Sequence, residues 1–254
     1  MKKLIVSGCL FLSSFAAQAD LITLYDVDFS SPTHSLGSAP SVGPDSDQVS
    51  GIIFGTPTVE GTFAGNQDPS LHFNADTSTY EQIRLNMGQG YDNYQLQFDF
   101  YSSNLSGSNY SFTLSADTPQ VRNFSFSGTA GIYSYAPSVQ RIRGGSVQDD
   151  TSYHVMLDYN LVASSMSVWL NNGLLGVSEF STSGNDIESF RFNLSPAIGG
   201  TGLDPSISVN LDNILVTSRV ANVPEPTPLL LVSMGLIGFV SMRFRSAGKS
   251  QSSC

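Results

Sequence analysis

The sequence is poor in cysteine and lysine, and each shortage excludes a class of site. Its 254 residues include two cysteines, Cys9 and Cys254, which lie at opposite ends of the chain. Neither a disulfide framework nor a clustered zinc site can form between them in the body of the protein. No lysine lies in residues 20–223, where six arginines face twenty carboxylates, a formal charge of −14. Binding to nucleic acid relies on cationic side chains, so we expect no nucleic-acid partner.

The residue patterns of common catalytic sites are missing as well. The body has no Gly-x-Ser-x-Gly sequence, and the histidines His34, His72 and His154 have no His-x-x-x-His spacing. These absences argue against a nucleophilic hydrolase and a zinc enzyme. Glycoside hydrolysis needs two paired carboxylates, and the four glutamates of the body do not form the Glu-x-Asp-x-Glu strand motif of one class of glucanases. We therefore expect a protein that is not an enzyme and has no cofactor, apart from a structural Ca²⁺ considered below.

The N-terminus has the pattern of a secretory signal. Two lysines precede an apolar run over 4–17, and Ala17 and Ala19 occupy the −3 and −1 positions before Asp20. This order of charge, apolar run and small residues predicts a signal peptide over 1–19. A buried N-terminal helix would not explain that order. The residues before Cys9 resemble a lipoprotein signal, but too short an apolar segment precedes that cysteine.

The C-terminus carries a second apolar segment. It follows the motif Val223-Pro224-Glu225-Pro226 and ends at Arg243 and Arg245. A helix over 229–242 would span about 21 Å at 1.5 Å per residue, short of the roughly 30 Å hydrocarbon core. Extending the helix to 226–242 allows membrane insertion, with the arginines on the cytoplasmic side. Such a short segment is more typical of a processing signal than of a permanent anchor.

These C-terminal residues resemble the PEP-CTERM sorting signal of Gram-negative bacteria. The resemblance rests on the Pro-Glu-Pro motif, the hydrophobic helix and the arginine cluster in that order, and it covers 223–245. It implies that an exosortase, a membrane transpeptidase, cuts the chain near Pro224-Glu225-Pro226. The body would then pass from an inner-membrane intermediate to the cell surface or the exterior. The stretch 246–254 is longer than is usual after the arginines.

The body between the tails alternates apolar and polar residues with a period of two, which is typical of half-buried β-strands. The alternating sets are Ile83, Leu85 and Met87; Tyr94, Leu96, Phe98 and Phe100; Tyr110, Phe112 and Leu114; Tyr153, Val155, Leu157 and Tyr159; Met166, Val168 and Leu170; Phe190, Phe192 and Leu194; and Ile207, Val209 and Leu211. No stretch has the pattern of an amphipathic helix. The sequence predicts an all-β, antiparallel two-sheet sandwich over 20–220, flanked by the signal peptide and by a tail over 221–254.

One hairpin carries a more specific resemblance. Asn172-Gly173 separates two apolar runs and predicts a type I′ turn, because both central residues of that turn need positive φ. The alternating strand Tyr153–Tyr159 and the segment Ser167–Gly173 resemble the paired strands of laminin-G-like and concanavalin-A-like jelly rolls. That resemblance implies a jelly-roll fold, which often binds sugars but also serves as an inert scaffold.

Aromatic side chains are the candidates for sugar binding, because flat aromatic faces pack against pyranose rings. Trp169, the one tryptophan, alternates with Val168 and Leu170 and is expected on the opposite face of its strand. Tyr133 and Tyr135 share another strand face, near two arginines in sequence. The alternative for each of these residues is packing within the sandwich.

Carboxylates near both ends of the body are the candidates for calcium, which prefers oxygen ligands. Asp26 and Asp28 open the body, and Asp212 lies near its end. In many carbohydrate-binding jelly rolls the first and last strands are neighbours around a structural Ca²⁺, and this chain resembles that arrangement in its acids. Ordinary surface carboxylates are the alternative.

These patterns favour one function and leave two alternatives open. The favoured function is a non-enzymatic protein of the cell surface or extracellular matrix, sorted by an exosortase-like transpeptidase and associated with exopolysaccharide. The alternatives are a carbohydrate-binding module and, less favoured, a glycoside hydrolase.

Overall fold

A computed structural model describes residues 21–61, 68–75, 80–87, 91–117, 122–136, 139–179, 187–196 and 206–220. All of them belong to one compact unit, Asp20–Ala221. The residues predicted for signal cleavage and sorting lie outside the described ranges; these are Ala17, Ala19, Asp20, Val223, Pro224, Glu225, Pro226, Arg243 and Arg245. Within the described ranges, no helix is long and apolar enough to span a membrane.

The described residues form β-strands joined by turns and loops, as the period-two pattern predicts. In chain order the strands are β1 (Leu21–Val27), β2 (Gly51–Phe54), β3 (Thr58–Glu60), β4 (Ser70–Asn74), β5 (Glu81–Asn86), β6 (Tyr91–Ser103), β7 (Tyr110–Asp117), β8 (Arg122–Ser127), β9 (Gly131–Ala136), β10 (Val139–Gly145), β11 (Thr151–Asn160), β12 (Ser165–Leu170), β13 (Gly173–Glu179), β14 (Ser189–Pro196) and β15 (Ser208–Val220).

The strands form two antiparallel sheets packed face to face as a jelly-roll sandwich. The eight-stranded sheet has the order β13-β12-β11-β6-β15-β4-β3, with β1 also paired to β15. The seven-stranded sheet has the order β10-β9-β8-β7-β14-β5-β2. The first and last strands, β1 and β15, are antiparallel neighbours.

Aromatic side chains from both sheets fill the space between them. Phe100 of β6 is 1% exposed and stacks on Phe126 of β8, with ring centroids 3.9 Å apart. Phe98 of β6 packs edge-on against Phe192 of β14 at 5.2 Å. The apolar residues of each predicted alternating set thus face the core, and the polar residues between them lie on the outer faces of the sheets.

A bulge in β15 separates the part of this strand that pairs with β4 from the part that pairs with β1. Asp212 is opposite Asp99 of β6, and Leu215 is opposite Gln97, so β15 contains one extra residue between these pairs. Asn213 takes up the extra length with a φ of 51°, which Asn tolerates better than most residues. On the far side of β15, β4 pairs before the bulge and β1 pairs after it.

The turn between β12 and β13 lies one residue earlier than the sequence predicts. Leu170 pairs with Gly173, and the two residues between them, Asn171 and Asn172, have φ of 49° and 66°. Both central residues therefore have the positive φ of a type I′ turn. Because asparagine tolerates this conformation, the Asn-Asn pair forms the turn and Gly173 begins β13.

Truncation of a core aromatic residue should be far more costly than truncation of a surface one. We expect Phe100→Ala to lower the free energy of unfolding by about 3–5 kcal/mol, because it leaves a cavity among stacked rings. Phe54→Ala is the matched control, since Phe54 is 54% exposed, and its cost should be much smaller. Urea unfolding followed by circular dichroism measures both. Equal losses would contradict the position of the core.

Candidate functional site

The outer face of the eight-stranded sheet is an ordered array of side chains from several strands. Strand pairing places Trp169 of β12 beside Met156 of β11, Met156 beside Gln97 of β6, and Gln97 beside Leu215 of β15. All four are partly exposed. We call this set the tryptophan row. It forms an apolar strip across the face, interrupted by one amide.

The strip continues onto the outermost strand of this sheet. Leu174 of β13 is opposite Trp169, and Val177 is opposite Ser167. Their side chains are 56% and 59% exposed. Trp169 therefore lies between two apolar residues, Met156 and Leu174, on the outer face that the alternation of its strand predicts.

A cavity of about 370 Å³ lies next to the tryptophan row, toward the β12–β13 turn. We call it the His154 pocket. Polar side chains from β4, β6, β11, β15 and the turn line it, among them Asp99, His154, Asn171, Asn210, Asp212 and Asn213. Their positions follow from strand pairing, because β6 lies between β11 and β15.

Asp99 is the centre of a hydrogen-bond network in this pocket. Nδ1 of His154 donates to Oδ1 of Asp99 at 2.7 Å, and Nδ2 of Asn213 donates to Oδ2 at 2.8 Å. The backbone amide of Asn213 donates to Oδ1 of Asp212, which is 4% exposed. At the bulge in β15, Asn213 thus donates to Asp99 through its side chain and to Asp212 through its backbone amide.

The turn between β12 and β13 supplies the side chain of Asn171 to the same pocket. Oδ1 of Asn171 accepts a hydrogen bond from the backbone amide of His154 at 2.8 Å, and the backbone amide of Asn171 donates to the carbonyl of His154. These two bonds tie the turn to β11. They position Asn171 at the rim of the pocket.

At the far side of the pocket, amide and hydroxyl groups form a second network. Nδ2 of Asn210 donates to Oγ of Ser70 at 2.6 Å, and Nδ1 of His72 donates to Oδ1 of Asn210 at 3.0 Å. The pocket therefore offers both donors and acceptors in fixed positions. Such a mixture is suited to a ligand with many hydroxyl groups.

The structure separates the aromatic residues that the sequence nominated for sugar binding. Trp169 lies on the outer face of the eight-stranded sheet, whereas Tyr133 is a half-buried residue of β9 in the seven-stranded sheet. Tyr135 lies in β9 too, and its side chain is outside the described part of the structure. Because they lie on different sheets, Trp169 and Tyr133 cannot form one sugar-binding platform.

The carboxylates nominated for calcium have separate surroundings. Asp28 accepts hydrogen bonds from the backbone amide and hydroxyl of Ser30, Asp26 is opposite Leu215, and Asp212 lines the His154 pocket. Within the described ranges, no three His, Cys, Asp or Glu side chains are grouped so that they could hold a metal ion. Structural calcium at these residues stays a prediction.

Sequence reasoning missed Asp99, His154, Asn171 and Asn213 as members of a common site. Asp99 and Asn213 are 114 residues apart in the chain and meet only through the pairing of β6 with β15. The available signal was their outward position between buried residues, such as Asp99 between Phe98 and Phe100. That signal identifies the face but not the partner strand.

Tyr101, at the edge of this pocket, should remain protonated to unusually high pH. Burial, together with the hydrogen bond from its hydroxyl to Asp150 and the charge of that carboxylate, raises the pKa of Tyr101 from 10.0 to about 12. Because the folded-state pKa is above the unfolded one, the stabilisation is complete below pH 10 and is lost as the pH rises through about 12. Ultraviolet titration should show a tyrosine signal with a midpoint near pH 12 that disappears in Tyr101→Phe. The same tyrosine should titrate earlier in Asp150→Asn, and an unchanged titration in both variants would contradict this assignment.

Comparisons with known proteins support the fold alone. No protein-family model matches the chain, and no curated protein does either. Among solved structures, a sialidase matches with a TM-score of 0.52 at 13% identity, over 75% of this chain and 18% of that one. The cellulose induced protein Cip1 (TM-score 0.49, 11% identity, 63% and 84% coverage) and the galectin LEC-6 of Caenorhabditis elegans (0.37, 11%, 59% and 96%) are too distant to support an argument. The chain has the architecture of an antiparallel jelly-roll β-sandwich and spans under a fifth of the sialidase that it matches.

Proposed function

We propose that this protein is a non-catalytic, glycan-binding β-sandwich that is exported and associates with extracellular polysaccharide. The observation that carries the proposal is the tryptophan row beside the His154 pocket. The chemistry fits, because a sugar ring presents an apolar face and a rim of hydroxyls. The indole of Trp169 would cover the apolar face, and the amides and carboxylates of the pocket would bind the hydroxyls.

The hydrogen-bond network of the His154 pocket favours binding over catalysis. A glycosidase needs one carboxyl group free to donate a proton and a second free to act as nucleophile or base. In the His154 pocket, Asp99 accepts hydrogen bonds from two side chains, and Asp212 is buried against the backbone of Asn213. A glycoside hydrolase remains the less favoured alternative, and turnover of a polysaccharide by the purified protein would establish it.

The charge of the body favours neutral or amino-bearing glycans over acidic ones. Residues 20–223 carry a formal charge of −14, and the His154 pocket contributes two carboxylates to its lining. A polyuronate or sulfated chain would be repelled at low ionic strength. We therefore place neutral polysaccharides and those with free amino groups first among the ligands to test.

The proposed location outside the cell depends on the two tails of the sequence. The N-terminal segment resembles a signal peptide, and the motif Val223-Pro224-Glu225-Pro226 with the arginines after it resembles a PEP-CTERM signal. We propose that an exosortase-like transpeptidase is the processing partner. The chain would contact the inner membrane through 226–242 before processing and would leave it afterwards. A carbohydrate-binding module that is not sorted in this way is the alternative.

Removing the indole should weaken binding to polysaccharide. On a glycan array with neutral, amino-bearing and uronic acid polysaccharides, we expect binding that falls about tenfold to a hundredfold in Trp169→Ala, because about 1.5–3 kcal/mol of aromatic burial is lost. Trp169→Phe should retain part of the affinity. Tyr133→Ala is the control on the seven-stranded sheet and should bind as the natural protein does. The opposite result, loss in Tyr133→Ala alone, would move the site to that sheet.

The native protein should lose both tails. Expressed in a Gram-negative host that has an exosortase, it should give an intact mass that corresponds to a chain starting at Asp20 and ending near Pro224. Replacing Pro224-Glu225-Pro226 with alanines should leave the C-terminal segment on the protein and hold it in the inner membrane. A natural chain that keeps 229–254 in the inner membrane would contradict the sorting proposal, while the binding proposal would stand.

A further inference from the structure

A second, smaller cavity lies on the same outer face, at the opposite end of β6 and β11 from the His154 pocket. Its volume is about 160 Å³, and Asn93, Gln95, Asp158, Asn160, Thr217 and Arg219 line it. We call it the Thr217 pocket. Each of these six side chains can donate or accept a hydrogen bond, the two charged ones have opposite signs, and Leu21 of β1 adds an apolar group to the lining.

Thr217 provides the observation that points to a ligand. The residue is 3% exposed, and its hydroxyl has no hydrogen-bond partner among the residues that the structure describes. A buried hydroxyl that is left unpaired destabilises the fold, so natural proteins keep few of them. An unpaired hydroxyl in the lining of a cavity is explained if a bound molecule completes its hydrogen bonding.

Asp158 supports the same interpretation. It is half-buried on the outer face, opposite Gln95, and forms no hydrogen bond within the described residues. Burial raises the pKa of this carboxyl group, and the charge of Arg219 opposes the rise. A carboxylate that is partly removed from water without a hydrogen-bond donor is poorly satisfied, and a ligand hydroxyl would satisfy it.

Strand pairing places the two pockets and the tryptophan row in a line. Along β6 the order is Asp99, Gln97, Gln95, and along β11 it is His154, Met156, Asp158. At roughly 3.4 Å per residue, the pockets are about 14 Å apart along the strands. A single sugar cannot reach both, whereas a chain of several sugars can.

We propose that the Thr217 pocket is an outer subsite for a linear, neutral polysaccharide that runs along β6 and β11 from the His154 pocket across the tryptophan row. This inference rests on the proposed function and adds the direction and minimum length of the ligand. The pocket offers acceptors through Asp158 and donors through Arg219, so it matches neighbouring hydroxyls of one ring. Its mixed charge does not select an ionic group.

The length of the oligosaccharide tests this inference. Disaccharides and hexasaccharides are prepared from the neutral polysaccharide that gives the strongest array signal, and their affinities for the full-length natural protein are measured by calorimetry. We expect the hexasaccharide to bind at least tenfold more tightly. In Thr217→Val, which removes the hydroxyl and keeps the shape, the hexasaccharide should lose about threefold to tenfold, the worth of one hydrogen bond. The disaccharide should be unaffected.

Two further variants separate binding from folding. Asp158→Asn should reduce hexasaccharide affinity without changing disaccharide affinity. Ser102→Ala is the matched control, because the buried hydroxyl of Ser102 in β6 also lacks a hydrogen-bond partner within the described ranges and lines neither pocket. It should bind both sugars normally. Thr217→Val and Ser102→Ala should both be at least as stable to heat as the natural protein, since each removes an unpaired polar group.

The outcomes distinguish this inference from the proposal that it rests on. Equal affinities for the two oligosaccharides, or an unchanged hexasaccharide affinity in both Thr217→Val and Asp158→Asn, would overturn the outer subsite and leave glycan binding intact. Absence of binding to every polysaccharide on the array would overturn both. Loss of disaccharide affinity in Thr217→Val would show that this pocket is the primary site, which would also overturn the proposed order.

Discussion

The two faces of strand β6 determine the rest of this structure. Its inward residues stack with aromatic side chains of the seven-stranded sheet, so the strand cannot shift by one residue without exposing them to water. The same alternation places Gln95, Gln97 and Asp99 on the outer face. Because β11 and β15 flank β6, the packing of the core also fixes which polar side chains of those strands meet on the outside. The candidate site is thus specified by the core.

Two local features add polar groups in fixed positions to this regular array. At the bulge, Asn213 donates to Asp99 through its side chain and to Asp212 through its backbone amide, and at the turn the side chain of Asn171 is bonded to the backbone of β11. Side chains held by each other lose little conformational freedom when a ligand arrives, which favours affinity. The tryptophan row needs no such support, because neighbouring strands hold its members in place.

The sequence predicted the strands that have long alternating patterns. Short strands such as β3 were not predicted, because three residues with one buried side chain are too few to show an alternation of apolar and polar residues. The β12–β13 hairpin was predicted one residue too late, because Asn-Gly is the commoner signal and Asn171 was not recognised as a turn residue.

The site was predicted only in part. The outward position of Trp169 followed from alternation within its own strand. The sequence nominated Asp212 as a calcium ligand because it is a carboxylate near the end of the body. Its position in the His154 pocket depends instead on the pairing of β15 with β6, which places Asp212 opposite Asp99. Alternation gives the face on which a residue lies, but the register between distant strands decides its partners. That register comes from the packing of both sheets, which no single segment encodes.

Trp169 is the one tryptophan of the chain, so its fluorescence reports directly on the central claim that the outer face of the eight-stranded sheet binds glycan. The decisive measurement is a titration of the natural protein with the polysaccharide that it binds, following tryptophan emission. We expect a saturable shift to shorter wavelength, with the same midpoint as calorimetry, because a sugar ring would displace water from the indole. Binding by calorimetry with unchanged emission would place the glycan elsewhere and contradict binding at this face.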